Sequence, residues 1–76
     1  MREFVKYIAS SLVDNPGAVR VREIAGPRET KLEVRVSVED MGRIIGRGGR
    51  TVRAIRTLLA VAGRKSRRSF TMEIVQ

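Results

Sequence analysis

The sequence predicts an α+β fold, a two-layer sandwich with helices covering one face of a three-stranded sheet. Three observations carry this. Apolar residues recur at helical spacing in two stretches, near the start and after the middle of the chain. Three other stretches alternate apolar and polar residues with the period of a strand. The 76 residues suffice for one domain with a modest core, so residues 1–76 are read as a single unit.

Residues 1–13 form the first helix. Phe4, Val5, Ile8, Ala9 and Leu12 fall at helical spacing, with Arg2, Lys6 and Ser10 elsewhere. This helix should lie on the sheet, with Tyr7 packed and its hydroxyl at the edge. Asp14-Asn15-Pro16-Gly17 ends it, because proline and the residue before it disfavour helix. Val19 and Val21 alternate with Arg20 and Arg22 as a strand, which ends or bulges near Glu23 because Ile24 breaks the alternation. Turn residues occupy 25–29. Leu32, Val34, Val36 and Val38 then define the clearest strand, leaving Glu33 and Arg35 for cross-strand pairing on its other side.

A short helix spans 37–45, opening with Ser37 three residues before Asp40 and closing on Ile44 and Ile45. The turn Gly46-Arg47-Gly48-Gly49 leads into a longer helix over 50–62. Its core stripe is Val52, Ile55, Leu59 and Ala62, with Arg50, Arg53 and Thr57 opposite. Gly63 is the expected C-cap, and Arg64 and Lys65 complement the negative helix end. After a basic loop at 66–69, Phe70, Met72 and Ile74 alternate as the closing strand.

The glycine turn is where the chemistry concentrates. Glycine suits backbone at positive φ or backbone lying close to a ligand. The helix start that follows carries unpaired N–H groups and partial positive charge, which suits an anion. Arg47, Arg50 and Arg53 stand there with no carboxylate nearby in sequence, an arrangement that helix stability alone does not favour. An external phosphate accounts for it. The net charge of +8 is segregated in the same way. Arg43, Arg47, Arg50, Arg53, Arg56, Arg64, Lys65, Arg67 and Arg68 lie between Met41 and Met72 with no acid among them, while the rest of the chain is close to neutral. Such segregation points to an anionic polymer as partner.

Other readings fall away. A dinucleotide fingerprint needs a third glycine where Thr51 stands, and this turn follows a helix rather than a strand. A phosphate-binding P-loop closes on Gly-Lys-Ser/Thr, which does not occur. Cysteine and histidine are absent, which removes disulfides, most zinc sites, and nucleophile or base chemistry on either. The carboxylates show no catalytic pair or metal cluster, so neither enzyme activity nor a cofactor is expected. No apolar run approaches the roughly 20 residues of a membrane span, and no signal-peptide pattern opens the chain. A cytoplasmic protein without membrane insertion is expected.

Ile45-Gly46-Arg47-Gly48-Gly49-Arg50, with Val52 and Ile55 behind it, resembles the GXXG loop and following helix of a KH domain. Tyr7-Ile8-Ala9, the segment from Leu12 to Pro16, Val19-Arg20-Val21, the run from Val38 to Gly42 and the run from Ala54 to Leu58 extend the resemblance across the chain, to the small bacterial KH proteins of the KhpA family. The resemblance implies the type II arrangement, α-β-β-α-α-β, and binding of single-stranded RNA through a loop that clamps about four backbone nucleotides. On that reading Ile45, Gly46, Arg47, Gly48, Gly49, Arg50, Arg53 and Arg43 meet the RNA. Ile45 and the strand end at Val36 and Val38, with Ile44, form an apolar groove wall; Ile45 could equally be core. Arg47 is the one side chain within the tetrapeptide, so base identity should be read weakly. None of the three aromatic residues sits by the loop in sequence, unlike an aromatic stacking platform. The resemblance also implies a post-transcriptional regulator or RNA chaperone that pairs with a larger KhpB-like KH protein in cell-envelope and cell-shape control.

A second reading is an assembly module in which RNA binding is secondary. Ala54, Leu58 and Val61, spaced i, i+4, i+7, form a small apolar stripe turned away from the helix core face. Either it is an interface for a homodimer or a KH partner, or the first helix or the 64–69 segment folds over it.

Overall fold

Helix α1 (Arg2–Leu12) meets the rest of the molecule through a narrow face, on which Val5 and Ala9 are buried. A computed structural model describes residues 1–75; Gln76, the last residue of the predicted domain, lies outside the described residues. The expected apolar stripe is narrower than its spacing implies. Phe4 and Leu12 stay partly exposed, and Tyr7 is 74% exposed rather than packed. The cause is position: α1 lies mainly over the edge strand β1 (Arg20–Ala25), so one side of the helix has no neighbour to cover it.

β1 pairs antiparallel with β2 (Glu29–Arg35) in an unbroken register from Arg20 opposite Arg35 to Ala25 opposite Thr30. The expected break near Glu23 is absent. Glu23 stands opposite Leu32 on the helix-facing side, yet at an exposed edge, so a charged residue fits without a bulge. Gly26 closes the hairpin, its N–H donating to the Glu29 carbonyl at 2.7 Å.

β2 is the central strand. It pairs in parallel with β3 (Ser69–Val75), placing Thr30, Leu32 and Val34 beside Phe70, Met72 and Ile74 on the inner face. A short hairpin can only reverse direction, whereas a parallel neighbour needs a long crossover. That crossover consists of α2 (Met41–Ile45), the glycine turn and α3 (Arg50–Ser66). Helices and a three-stranded mixed sheet thus form the α-β-β-α-α-β order, with the glycine turn at the apex of the crossover.

Val5, Ala9, Val19, Leu32, Val34, Val36, Ile44, Val52, Ile55, Leu59 and Met72 make one core. The strand predicted through Val38 stops at Arg35; Val36 is buried beyond it, while Val38 enters a 3₁₀ turn (Val38–Asp40) and is 66% exposed. The outer sheet face is charged. Arg22 lies 3.8 Å from Glu33, the cross-strand pairing expected for that glutamate, and Lys31 lies 2.9 Å from Glu73. Exposed pairs of this kind add little to stability.

α3 overruns its predicted end. Gly63 is not a cap but a buried helical residue, and a Cβ there would collide with the Arg68 carbonyl as the chain turns back toward β3. The cap falls instead on Arg67, at φ 56. Its N–H donates to the Arg64 carbonyl and that of Arg68 to Gly63, the paired bonds of a Schellman ending.

Candidate nucleic-acid interface

The first turn of the crossover is held by one buried carboxylate. Asp40, 2% exposed, accepts the N–H groups of Asp14 (3.1 Å) and Asn15 (3.0 Å) and the Ser37 hydroxyl (3.0 Å). Burial alone would push its carboxyl up. The two amides, the hydroxyl and the Arg43 guanidinium outweigh that and hold it below the usual carboxylate range. Asp40 thereby ties the end of α1 to the start of α2. Ser37 and Asp40 interact as their spacing implies, although the bond runs between side chains rather than to helix amides.

Arg43 belongs to the same lock. Its Nη2 lies 2.8 Å from Asp14 and its Nε 3.5 Å from Asp40. Arg43, expected to meet RNA, is thus engaged by two carboxylates at the start of α2.

At the other end of α2 the chain enters the loop. Gly46 takes φ 77 and ψ 167, and a Cβ there would stand 2.8 Å from the Thr51 backbone nitrogen. Gly48 and Gly49 follow at φ 63 and φ 80. Three positive φ values within four residues turn the backbone sharply and set it directly beneath the start of α3, which has no side-chain cap and no acid in its first turn. Arg47 and Arg50 are exposed and, among the described residues, have no hydrogen-bond or ion-pair partner. Arg53 behaves differently: its Nη1 donates to the Gly48 carbonyl at 2.8 Å, bracing the loop from the helix side.

Ile45 is 37% exposed beside the loop. Ile45, Gly46, Arg47, Gly48, Gly49, Arg50 and Arg53 are thus brought together at one junction. The groove wall expected from Val36 and Ile44 is not there. Both side chains are core, 5% and 1% exposed, because β2 ends before Val36 and α2 turns Ile44 inward. Val38 is exposed, but at the start of α2 rather than at the loop. The strand that packs with α3 is β3, and Arg56 Nη2 bonds the Met72 carbonyl across that seam at 3.2 Å. Sequence reasoning missed Arg56 in this place. Its signal was the three-residue step from Arg53, which puts both arginines on neighbouring parts of one helix flank.

The stripe of Ala54, Leu58 and Val61 is open. Leu58 is 49% and Val61 39% exposed, so neither α1 nor the 64–69 segment folds over it. Among the described residues no helix is long and apolar enough to cross a membrane.

A helix–glycine loop–helix crossover on a three-stranded mixed sheet, with the loop beneath the second helix, defines a KH domain of the type II arrangement. The chain matches the family described as KhpA/KhpB, KH domain, over residues 2–74, and it belongs to that family. Among its relatives, the RNA-binding protein KhpA of Caldanaerobacter subterraneus subsp. tengcongensis is 48% identical over 75 residues, 99% of this chain and 100% of that protein. The RNA-binding protein KhpA of Clostridium perfringens is 45% identical over the same shares. That of Borreliella burgdorferi is 47% identical over 73 residues, 96% of this chain and 89% of its own. No solved structure matches the chain.

Proposed function

We propose that this protein binds single-stranded RNA and grips its backbone at the loop from Gly46 to Gly49. The observation that carries the reading is the pair of exposed guanidinia of Arg47 and Arg50, without a partner among the described residues, at a helix start whose loop has three glycines at positive φ. Backbone amides there can donate to phosphate oxygens, and the two arginines add charge-assisted bonds. Ile45, at the rim, offers apolar surface to a base, and glycine at the second variable position leaves base identity weakly read. The names of the relatives support RNA over other anions. The protein acts by binding rather than by catalysis. In the cytoplasm it serves as a post-transcriptional regulator or RNA chaperone, with a larger KhpB-like KH protein, in cell-envelope and cell-shape control.

The test is the double variant Arg47→Asp/Gly48→Asp. Space at Gly48 is open, with nothing within 4 Å of a Cβ there, and aspartate tolerates positive φ better than most residues. The variant should melt as a folded protein and lose binding to a single-stranded oligoribonucleotide. A folded variant that still binds RNA overturns the clamp.

A second reading is favoured by the open stripe on α3. Leu58 and Val61 are exposed on the face opposite the core. They suit a homodimer or a KH-domain partner that leaves the loop free, in which case assembly is a role of its own.

A further inference from the structure

The flank of α3 that adjoins β3 continues well past the loop. Arg53, Arg56, Ala60 and Arg64 recur at three- and four-residue intervals and form one row, and Arg67 follows just past the helix end. Toward its far end, beginning about 15 Å along the 17-residue helix, lies an open recess of about 340 Å³ lined by Ala60, Gly63, Arg64, Arg67, Arg68 and Phe70.

This recess differs from a solvated charge run in three respects. It contains an aromatic ring: Phe70 is half-buried, with one side packed against the core and Gly63 and the rest in the lining of the recess. Its cations are available. Among the described residues the Arg64 and Arg67 side chains have no partner, and Arg68 spends one nitrogen on the Thr30 hydroxyl at 2.9 Å. Finally, Arg67 occupies a left-handed position where glycine is the usual residue, so arginine is kept there against a conformational cost. The helix-end carbonyls that would repel a phosphate are partly engaged, by the N–H groups of Arg67 and Arg68 and by the Ser66 hydroxyl on Ala62.

A basic groove that carries an aromatic ring is the form of a sequence-tolerant single-strand platform, in which bases stack while cations track the backbone. We infer that this recess is a second nucleotide subsite, where Phe70 stacks a base of single-stranded RNA and Arg64 and Arg67 hold the flanking phosphates. The subsite rests on the reading of the glycine loop as the RNA clamp. It carries the strand along α3, beyond the roughly four nucleotides that such a loop grips.

The experiment compares uridine oligoribonucleotides of four and ten nucleotides by fluorescence anisotropy, on wild type, Phe70→Leu and Arg64→Gln/Arg67→Gly. Beyond the number of registers available, wild type should gain roughly tenfold on the longer strand, the scale of one base–aromatic stack. Both variants should bind the tetranucleotide as wild type does and lose that gain. For the arginine variant, the slope of log affinity against log salt on the longer strand should flatten by about 1.4, the loss of two phosphate contacts. Arg67→Gly touches no core residue, so the test stands even if Phe70→Leu folds poorly. Tetranucleotide binding without a length gain in wild type, or a gain kept by the arginine variant, overturns the subsite alone. Wild type that binds neither strand overturns the clamp and the subsite with it.

Discussion

Arg53 donates through Nη1 to the carbonyl of Gly48, five residues earlier, at 2.8 Å. The same nitrogen would stand 3.1 Å from a Cβ on Gly49. The side chain therefore lies against the loop backbone instead of projecting from the helix, and only glycine leaves it comfortable room. Arg53 is a positioning residue for the turn, whereas Arg47 and Arg50 remain open to an anion.

The salt dependence of RNA binding should separate these roles. Neutralising three to five phosphates gives a slope of log affinity against log salt of about −2 to −3.5. Arg47→Ala should flatten it by about 0.7. Arg53→Leu should weaken binding at every salt concentration with the slope unchanged, and the Gly48 and Gly49 amides should exchange faster with solvent. Equal flattening by both variants would make Arg53 a phosphate contact.

Two glycines of the crossover should respond oppositely to alanine. Gly46→Ala places a Cβ at positive φ and against the Thr51 backbone, and should cost about 1–3 kcal/mol. Gly42 is exposed within α2, and a Cβ there meets nothing within 4 Å. Gly42→Ala should therefore stabilise by about 0.4–1 kcal/mol. Urea unfolding of the two variants beside wild type checks both signs.

Arg67→Gly relieves a left-handed residue at the end of α3 and should stabilise by about 0.5–1 kcal/mol. A higher melting temperature combined with a lost length gain on RNA would mark Arg67 as kept for binding rather than for the fold. An unchanged or lower melting temperature would show that its backbone carries no strain.

The Asp40 lock sets an acid limit. Its carboxyl is held below the usual range in the folded protein, so the stability it contributes is present above the unfolded carboxylate value of about 3.9 and is lost as pH falls through the depressed folded value. Asp40→Asn should destabilise near neutral pH, and the gap to wild type should close as pH drops through that window. Denaturant midpoints measured from pH 7 downward report it; a gap constant with pH contradicts the assignment.

Val61→Asp tests the open stripe. Sedimentation should show a self-associated wild type becoming a folded monomer that binds RNA more weakly, because two linked sites raise avidity. A wild type that stays monomeric at high concentration and fails to pair with a KhpB-like protein removes the interface.

What the sequence determined alone is local. Helical and strand periodicities placed five of the six elements, since apolar spacing reports which side of an element is buried, and the Ser37–Asp40 spacing placed the short helix. The glycine turn announced positive φ, since side-chain-bearing residues avoid that backbone, and the run of cations without acids announced the charged flank. Tertiary structure decided everything that depends on a neighbour. Alternation in β2 shows two faces but not that β3 lies parallel beside it, nor that the strand stops at Arg35 and leaves Val36 as core. The end of α3 was decided by the returning chain: Arg68 presses on Gly63, so a residue that reads as a cap became a packing contact inside the helix. Equal arginines were sorted by what stands within reach of each. Arg43 finds two carboxylates, Arg53 a loop carbonyl and Arg56 a strand carbonyl, while Arg47 and Arg50 find nothing among the described residues. A guanidinium's role follows from its partners, and those partners come from elsewhere in the chain.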